Sequence, residues 1–308
     1  MSRKINDTFD ACFWEEYLES QGSRLPPLPD VQRITPRVVR VLAGNPGGFQ
    51  LQGTNTYLVG SGREKILIDT GQGLPVWIDH IAQVVAENDL KIVAALITHW
   101  HGDHTGGVPD LLVHFPHLKS AIYKNQPDRG QQDILDGQVF QVEGATIRAL
   151  HTPGHAVDHM CFVLEEEQAI FTGDNVLGHG FTVVEDLGAY TNSLGIMNDQ
   201  GCQIGYPAHG VVITDMPAKM AEYRDQRLRR ERQVISALRE SRQKNAGRGS
   251  ITVQEVVQSV HGTVPEDVSK KALEPFMQEV LLKLAGDRKV AFELQGGVKR
   301  WFIVGNRV

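Results

Sequence analysis

Cysteine is nearly missing from this chain of 308 residues: three occur, Cys12, Cys161 and Cys202, far apart in the sequence. That scarcity argues against a disulfide framework and suits a reducing compartment. Long apolar runs are missing too, and nothing approaches the ~20 residues of a membrane helix. The opening Met1-Ser-Arg-Lys-Ile-Asn-Asp carries an acid and no apolar stretch. No secretory leader is therefore expected, and the cytoplasm is the expected location. Positive charge is not in excess, since 31 Lys and Arg face 37 Asp and Glu for a net charge of −6. Neither DNA nor a membrane surface is an expected partner on that balance. What remains is an ordinary globular composition, 41% hydrophobic and 22% charged, long enough for one large domain with an appendage.

Three segments are expected. Residues 1–35 combine a helix at about Thr8–Gln21, with Phe9, Phe13, Trp14 and Leu18 at near-helical spacing, and the stiff linker Leu25-Pro-Pro-Leu-Pro. Residues 36–216 alternate strands and helices. Strands are predicted at Val38–Leu42, Thr54–Val59, Lys65–Ile68, Ile92–Ile97 and Ala121–Tyr123, with helices over Pro75–Glu87 and Gly107–His114. Short β segments follow at Val139–Val142, Thr146–Leu150, His159–Leu164 and Ala169–Phe171, then a strand–helix stretch from Ile204. This is the pattern of an α/β layered domain. Its glycine-rich passage Ala43–Gly53 reads equally as a solvent turn or a substrate flap.

Residues 217–308 change character. Helices are predicted over Ala218–Lys244, Val253–Val260 (capped by Thr252 with Glu255) and Pro265–Leu284, before strands Lys289–Leu294 and Val298–Ile303. The outline is a winged helix, but outline alone does not license DNA binding. A structural cap is the simpler reading. The basic run Arg224, Arg227, Arg229, Arg230 and Arg232 reads as a solvated helix face, though it could dock an acidic protein or RNA.

The chemistry concentrates in Thr98-His99-Trp100-His101-Gly102-Asp103-His104, directly after the apolar run Ile92–Ile97. Side chains alternate along a strand, so His99 and His101 leave its end on one side. Their nitrogens and the Asp103 carboxylate suit zinc or a similar ion. His155, Asp174 and His209 each follow a strand beside a glycine or proline, and strand ends can converge on one rim. His and Asp donors without thiolate favour a hydrolytic site. His151 is expected to be structural; His159 is either a core residue beside Cys161 or, like His179, lines the cleft. His80, His114, His117 and His261 lack supporting context, and Cys202 reads as a buried small hydrophobe. No dedicated proton donor is evident, which leans toward thioesters, whose thiol (pKa near ~8.5) leaves with little help.

Asp69, the His99–His104 cluster, His155, Asp174 and His209 together resemble, in order, the five motifs of the metallo-β-lactamase superfamily over residues 36–215. The resemblance implies an αββα sandwich with two divalent ions. It assigns His99, His101 and His155 to one metal, Asp103, His104 and His209 to the other, and Asp174 to both. Asp69 counts with Asp103 as a catalytic candidate, usually orienting a ligand rather than binding metal. Zinc is the default ion, with manganese or iron(II) as alternatives. Gly53-Thr-Asn-Thr-Tyr-Leu-Val-Gly60, Thr152-Pro-Gly-His-Ala-Val-Asp-His159 and the run from Thr172 to Leu187 are similar to one subgroup. It comprises animal lactamase-like endoribonucleases and fungal thioesterases serving non-reducing polyketide synthases, both carrying the winged-helix-like cap.

The closer likeness, through Gly173–Gly180, is to the thioesterases. It implies hydrolysis of an aromatic polyketide from its acyl carrier protein, with or without Claisen-type cyclisation. Single-strand RNA cleavage is the alternative, and the only one with RNA as partner; a glyoxalase II-like hydrolase is a third, against which the C-terminal region counts. Asn175–Asn198 is unusually apolar for a loop, so Leu177, Phe181 and Tyr190 are expected either to line a pocket for a flat substrate or to pack beneath the cap. A homo-oligomer is compatible with all of these readings.

Overall fold

The computed structural model describes residues 25–244, 249–266 and 269–304. The helix expected at Thr8–Gln21 lies outside them. The described residues form two compact units, 25–221 and 222–304.

The first unit is built on two facing sheets. Seven strands pair in chain order: β1 (Val31–Arg33), β2 (Val38–Leu42), β3 (Asn55–Val59), β4 (Glu64–Ile68), β5 (Lys91–Ile97), β6 (Ile122–Lys124) and β7 (Gln132–Asp133). The first four run antiparallel, and β4 through β7 are parallel. The second sheet has the order β12-β11-β10-β9-β8, from β8 (Val139–Val142), β9 (Ala145–His151), β10 (Met160–Leu164), β11 (Ala169–Gly173) and β12 (Ile204–Pro207).

Period-two alternation decides which core each side chain enters. Ile66, Ile68 and Leu96 turn inward against Ile147, Phe162, Phe171 and Tyr206 of the second sheet. Their neighbours Leu67, Ala95 and Ile97 turn outward, onto Trp77, Ile78 and Ile81 of α1 (Pro75–Glu87). Both faces of β4 and β5 are thus covered, which is why these strands read as unbroken apolar runs. With α4 (Leu187–Asp199) tied to β9 through Gln200 and Arg148, the layering is αββα.

The structure departs from the expected elements in several places. Residues 31–33, assigned to a linker, form β1 against β2. The helix expected at Gly107–His114 is present as α3 (Val108–His114), and a short helix that was not expected, α2 (Gly102–Thr105), precedes it. Gly106 and Gly107 separate them because backbone crowds both: a Cβ would lie 2.5 Å from Gln72 O and 2.0 Å from Thr70 O respectively. The supposed loop Asn175–Asn198 contains α4, whose start is capped by Asp186 accepting from the Ala189 amide at 2.9 Å. Finally, within the helix expected over Pro265–Leu284, Ser269–Leu273 is π-helical and runs into α7 (Glu274–Gly286). Pro275 has no amide to donate and its ring crowds the preceding turn, so the helix widens there.

The second unit gathers most of α5 (Met216–Lys244), then α6 (Val253–His261), α7 and the hairpin β13 (Val290–Gln295) with β14 (Val298–Ile303). Thr252 and Glu255 form the expected capping box. Val256, Val257, Met277, Leu281, Leu284 and Trp301 are buried. Glu231 of α5, itself mostly buried, meets the Lys283 and Lys289 ammoniums. No helix among the described residues is long and apolar enough to cross a membrane.

Candidate metal centre

Five chain segments leaving β4, β5, β9, β11 and β12 carry Asp69, His99 to His104, His155, Asp174 and His209. These are C-terminal strand ends, where open α/β sheets place their ligands. Two donor sets result, each with its ligand atoms within 4.8 Å of one another: His99, His101, His155 and Asp174, and beside it Asp103, His104 and His209.

In the first set three ring nitrogens converge. His99 Nε2 lies 2.8 Å from His101 Nδ1, and His155 Nε2 lies 3.2 and 3.0 Å from these two atoms. Tautomers follow from the far side of each ring. His155 Nδ1 donates to the Val183 carbonyl at 2.8 Å, so its Nε2 carries no proton. Thr98 Oγ1 donates to Asp69 and accepts from His99 Nδ1 at 3.0 Å, which leaves His99 Nε2 bare as well. In the second set, His104 Nδ1 donates to Asp69 Oδ2 at 2.9 Å, turning its Nε2 inward. Asp69, held at φ +58° and also bonded by the Thr98 amide, therefore orients His104 and belongs to neither set.

Asp174 joins the two sets. Its Oδ1 is 3.5 Å from His104 Nε2 and 3.2 Å from His209 Nε2, while Oδ2 is 3.5 Å from His155 Nε2. Asp103 Oδ2 stands 3.3 Å from His209 Nε2 and 3.5 Å from His104 Nε2.

The protonation states differ between the sets. Burial, then neighbouring imidazoles, hold His99 far below its ordinary value, and burial with the nearby His155 brings His101 down to about 4. Burial lowers His155 too. For His104 and His209 burial also opposes the charge but is outweighed by carboxylates, Asp174 foremost; His104 rises well above the usual range and His209 to about 9. Asp174 and Asp103 are held low by His209 and His104, against their burial. His104 Nε2 and Asp174 Oδ1 are buried without a hydrogen-bond partner. Bare nitrogens aimed at one another, an orphaned nitrogen and oxygen, and a surplus of carboxylate fit divalent cations.

Several supports were not anticipated from the sequence. His159, expected in the core or the cleft, is fully buried, and its Nε2 accepts the Asp174 amide at 3.1 Å while Nδ1 faces Thr152 Oγ1 at 3.0 Å. Gly173 (φ +50°) permits this, because a Cβ there would lie 2.5 Å from His159 Nε2. Asn55 Nδ2 donates to the carbonyls of Pro207 and Gly210, both at 2.9 Å, and Tyr57 OH to Pro207 O at 2.6 Å, fixing the His209 loop. Gln50 Nε2, in the glycine-rich passage, lies 3.4 Å from Asp103 Oδ2. Asp158, between His155 and His159, forms a buried ion pair with Lys124 at 2.6 Å.

Other expected residues fall elsewhere. Tyr190 is fully buried and its hydroxyl donates to Asn175 O at 2.6 Å, so its ring packs instead of facing a substrate. Leu177 is buried, whereas Phe181 and His179 are exposed. His151 Nε2 meets the Val157 carbonyl at 3.2 Å. Cys161 and Cys202 are buried free thiols, pushed up by burial to about 12 and about 11.

The description Metallo-beta-lactamase superfamily matches residues 50–209, and the chain belongs to that superfamily. It is 58% identical to lactamase-like protein aptB of Emericella nidulans over 97% of either chain. It is 55% identical to atrochrysone carboxyl ACP thioesterase of Aspergillus terreus, covering 99% of this chain and 97% of that one. Among solved structures, a beta-lactamase domain protein from Burkholderia ambifaria superposes with a TM-score of 0.71 over 92% of this chain and 98% of its own, at 18% identity. That last likeness speaks for the fold.

Proposed function

We propose that this protein is a metal-dependent thioesterase that releases an aromatic polyketide acid from the acyl carrier protein domain of a non-reducing polyketide synthase. The observation that carries the reading is the pair of donor sets sharing Asp174, in a chain that matches a carrier-protein thioesterase almost end to end. His99, His101 and His155 would hold one divalent ion, Asp103, His104 and His209 the second, and Asp174 both. Zinc is the default, and manganese suits the carboxylate-richer second set. Such ions supply Lewis-acid polarisation of a carbonyl and a water of lowered pKa.

The chain's own groups divide the remaining work. Asp103, ionised at neutral pH, would orient the attacking water as well as help to hold the second ion. Asp69 fixes the His104 ring, and His159 fixes the Asp174 peptide. A thiol leaving group departs as thiolate without needing a proton donor. We further assign residues 36–216 to catalysis and 217–308 to a winged-helix-like domain, with the cytoplasm as the location.

The test offers purified enzyme an aryl thioester on its carrier protein and, separately, a single-stranded RNA. Acid release that His104→Ala and chelation abolish supports the reading; RNA cleavage without acid release overturns it.

A further inference from the structure

Half of the described aromatic rings in the first unit are buried: Tyr57, Trp77, Phe162, Phe171, Tyr190 and Tyr206. Among its described Phe, Tyr and Trp residues only three are exposed: Phe49 at 51%, Trp100 at 43% and Phe181 at 38%. They come from three separate loops, and each is next in the chain to a residue of the metal centre or to one that touches it. Phe49 precedes Gln50, whose amide reaches Asp103. Trp100 lies between His99 and His101, its ring centroid 4.4 Å from that of His101. Phe181 precedes Thr182, whose Oγ1 is 3.1 Å from His155 Nδ1.

The loops bearing these rings are anchored. Asn45 Nδ2 donates to Thr54 Oγ1 at 3.0 Å, and Asn45 Oδ1 accepts the Thr54 amide at 2.9 Å. Gly47 pairs with Leu51 in a short bridge that holds Leu51 at φ +56°. The Lys219 ammonium sits 5.9 Å from the Phe181 centroid, within cation–π range. Exposed rings that each flank a residue of one centre, or a residue touching it, mark a candidate binding surface.

We propose that Phe49, Trp100 and Phe181 form an aromatic rim at the mouth of the metal centre that selects a planar aryl acyl group over an aliphatic one. The proposal rests on the thioesterase reading and extends it to specificity. A flat acyl group meets ring faces and edges in stacked or edge-on contact, whereas a flexible chain gains only area burial. Each ring should then contribute roughly two- to tenfold of discrimination.

The test uses metal-loaded enzyme with 2-naphthoyl and octanoyl thioesters of N-acetylcysteamine, which remove the carrier protein from the comparison. Wild type should favour the naphthoyl ester in kcat/KM. Phe49→Ala, Trp100→Ala and Phe181→Ala should each lower that preference by roughly two- to tenfold, with metal content retained, and Trp100→Phe should restore most of it. As a readout independent of turnover, 2-naphthoate should quench tryptophan fluorescence in wild type and less in Trp100→Phe. Equal losses on both esters, or none on either, overturn the rim while leaving the thioesterase standing. A wild type that hydrolyses neither ester and cuts RNA overturns both.

Discussion

The two halves of the metal centre share Asp174 but reach readiness for metal by opposite routes. Burial and mutual proximity keep His99, His101 and His155 neutral, the form that ligates. Carboxylates draw His104 and His209 toward protonation. The first set is thus a nearly neutral nitrogen cage needing only an ion, while the second must give up protons to receive one.

Removing the shared residue should have the largest effect. Asp174→Ala takes a donor from both sets, so kcat/KM should fall by more than the roughly 10- to 100-fold typical of losing an outer partner. Metal analysis should show both sites weakened, whereas His101→Ala should weaken the first alone. A His101→Ala protein that loses both ions equally would dissolve the distinction between the halves.

Next comes the loop that carries His155. Lys124→Met strands the buried Asp158 carboxylate, and breaking such a pair costs about 3–5 kcal/mol. Urea unfolding of the metal-loaded protein should report that loss. Lys124→Met combined with Asp158→Leu should recover most of it; no recovery would show that the pair does more than neutralise itself.

His159→Ala should cost less. It removes the acceptor of the Asp174 amide, and roughly 10- to 100-fold in metal affinity is expected, with the fold intact by circular dichroism. Unchanged affinity would return His159 to the core role that the sequence allowed it.

The finest test is the slope with pH. Because His104 and His209 are raised in the metal-free protein, protons compete for the second set from neutrality up to about pH 9. Affinity there should rise with pH by about tenfold per unit for each proton displaced. The first set, with His101 near 4, should bind with flat affinity above about pH 6.5. Calorimetric titrations in buffers of different ionisation enthalpy would count the protons released at each step.

The sequence exposed the donors far better than their supports. His99 to His104 are contiguous past one strand, and His155, Asp174 and His209 each follow a strand at a glycine or proline, so local pattern finds them. Asn55, His159, Gln50 and the Lys124–Asp158 pair act across 15 to 155 residues of chain, and no local pattern encodes such approaches. The helix α4 was within reach: Leu187, Tyr190, Leu194 and Met197 are its buried residues at helical spacing, and Asp186 is a good cap. Apolar content without period makes that span resemble a loop and leaves Tyr190 between a pocket and packing. The two-sheet frame was legible because strands covered on both faces are apolar throughout, while β1 and β7 are too short and exposed to announce themselves.

Counting the ions in the purified protein addresses the shared centre most directly. Two divalent ions per chain, falling to one in His101→Ala and in His209→Ala, are expected. A single ion in wild type, unaffected by His209→Ala, would contradict a centre of two halves joined at Asp174.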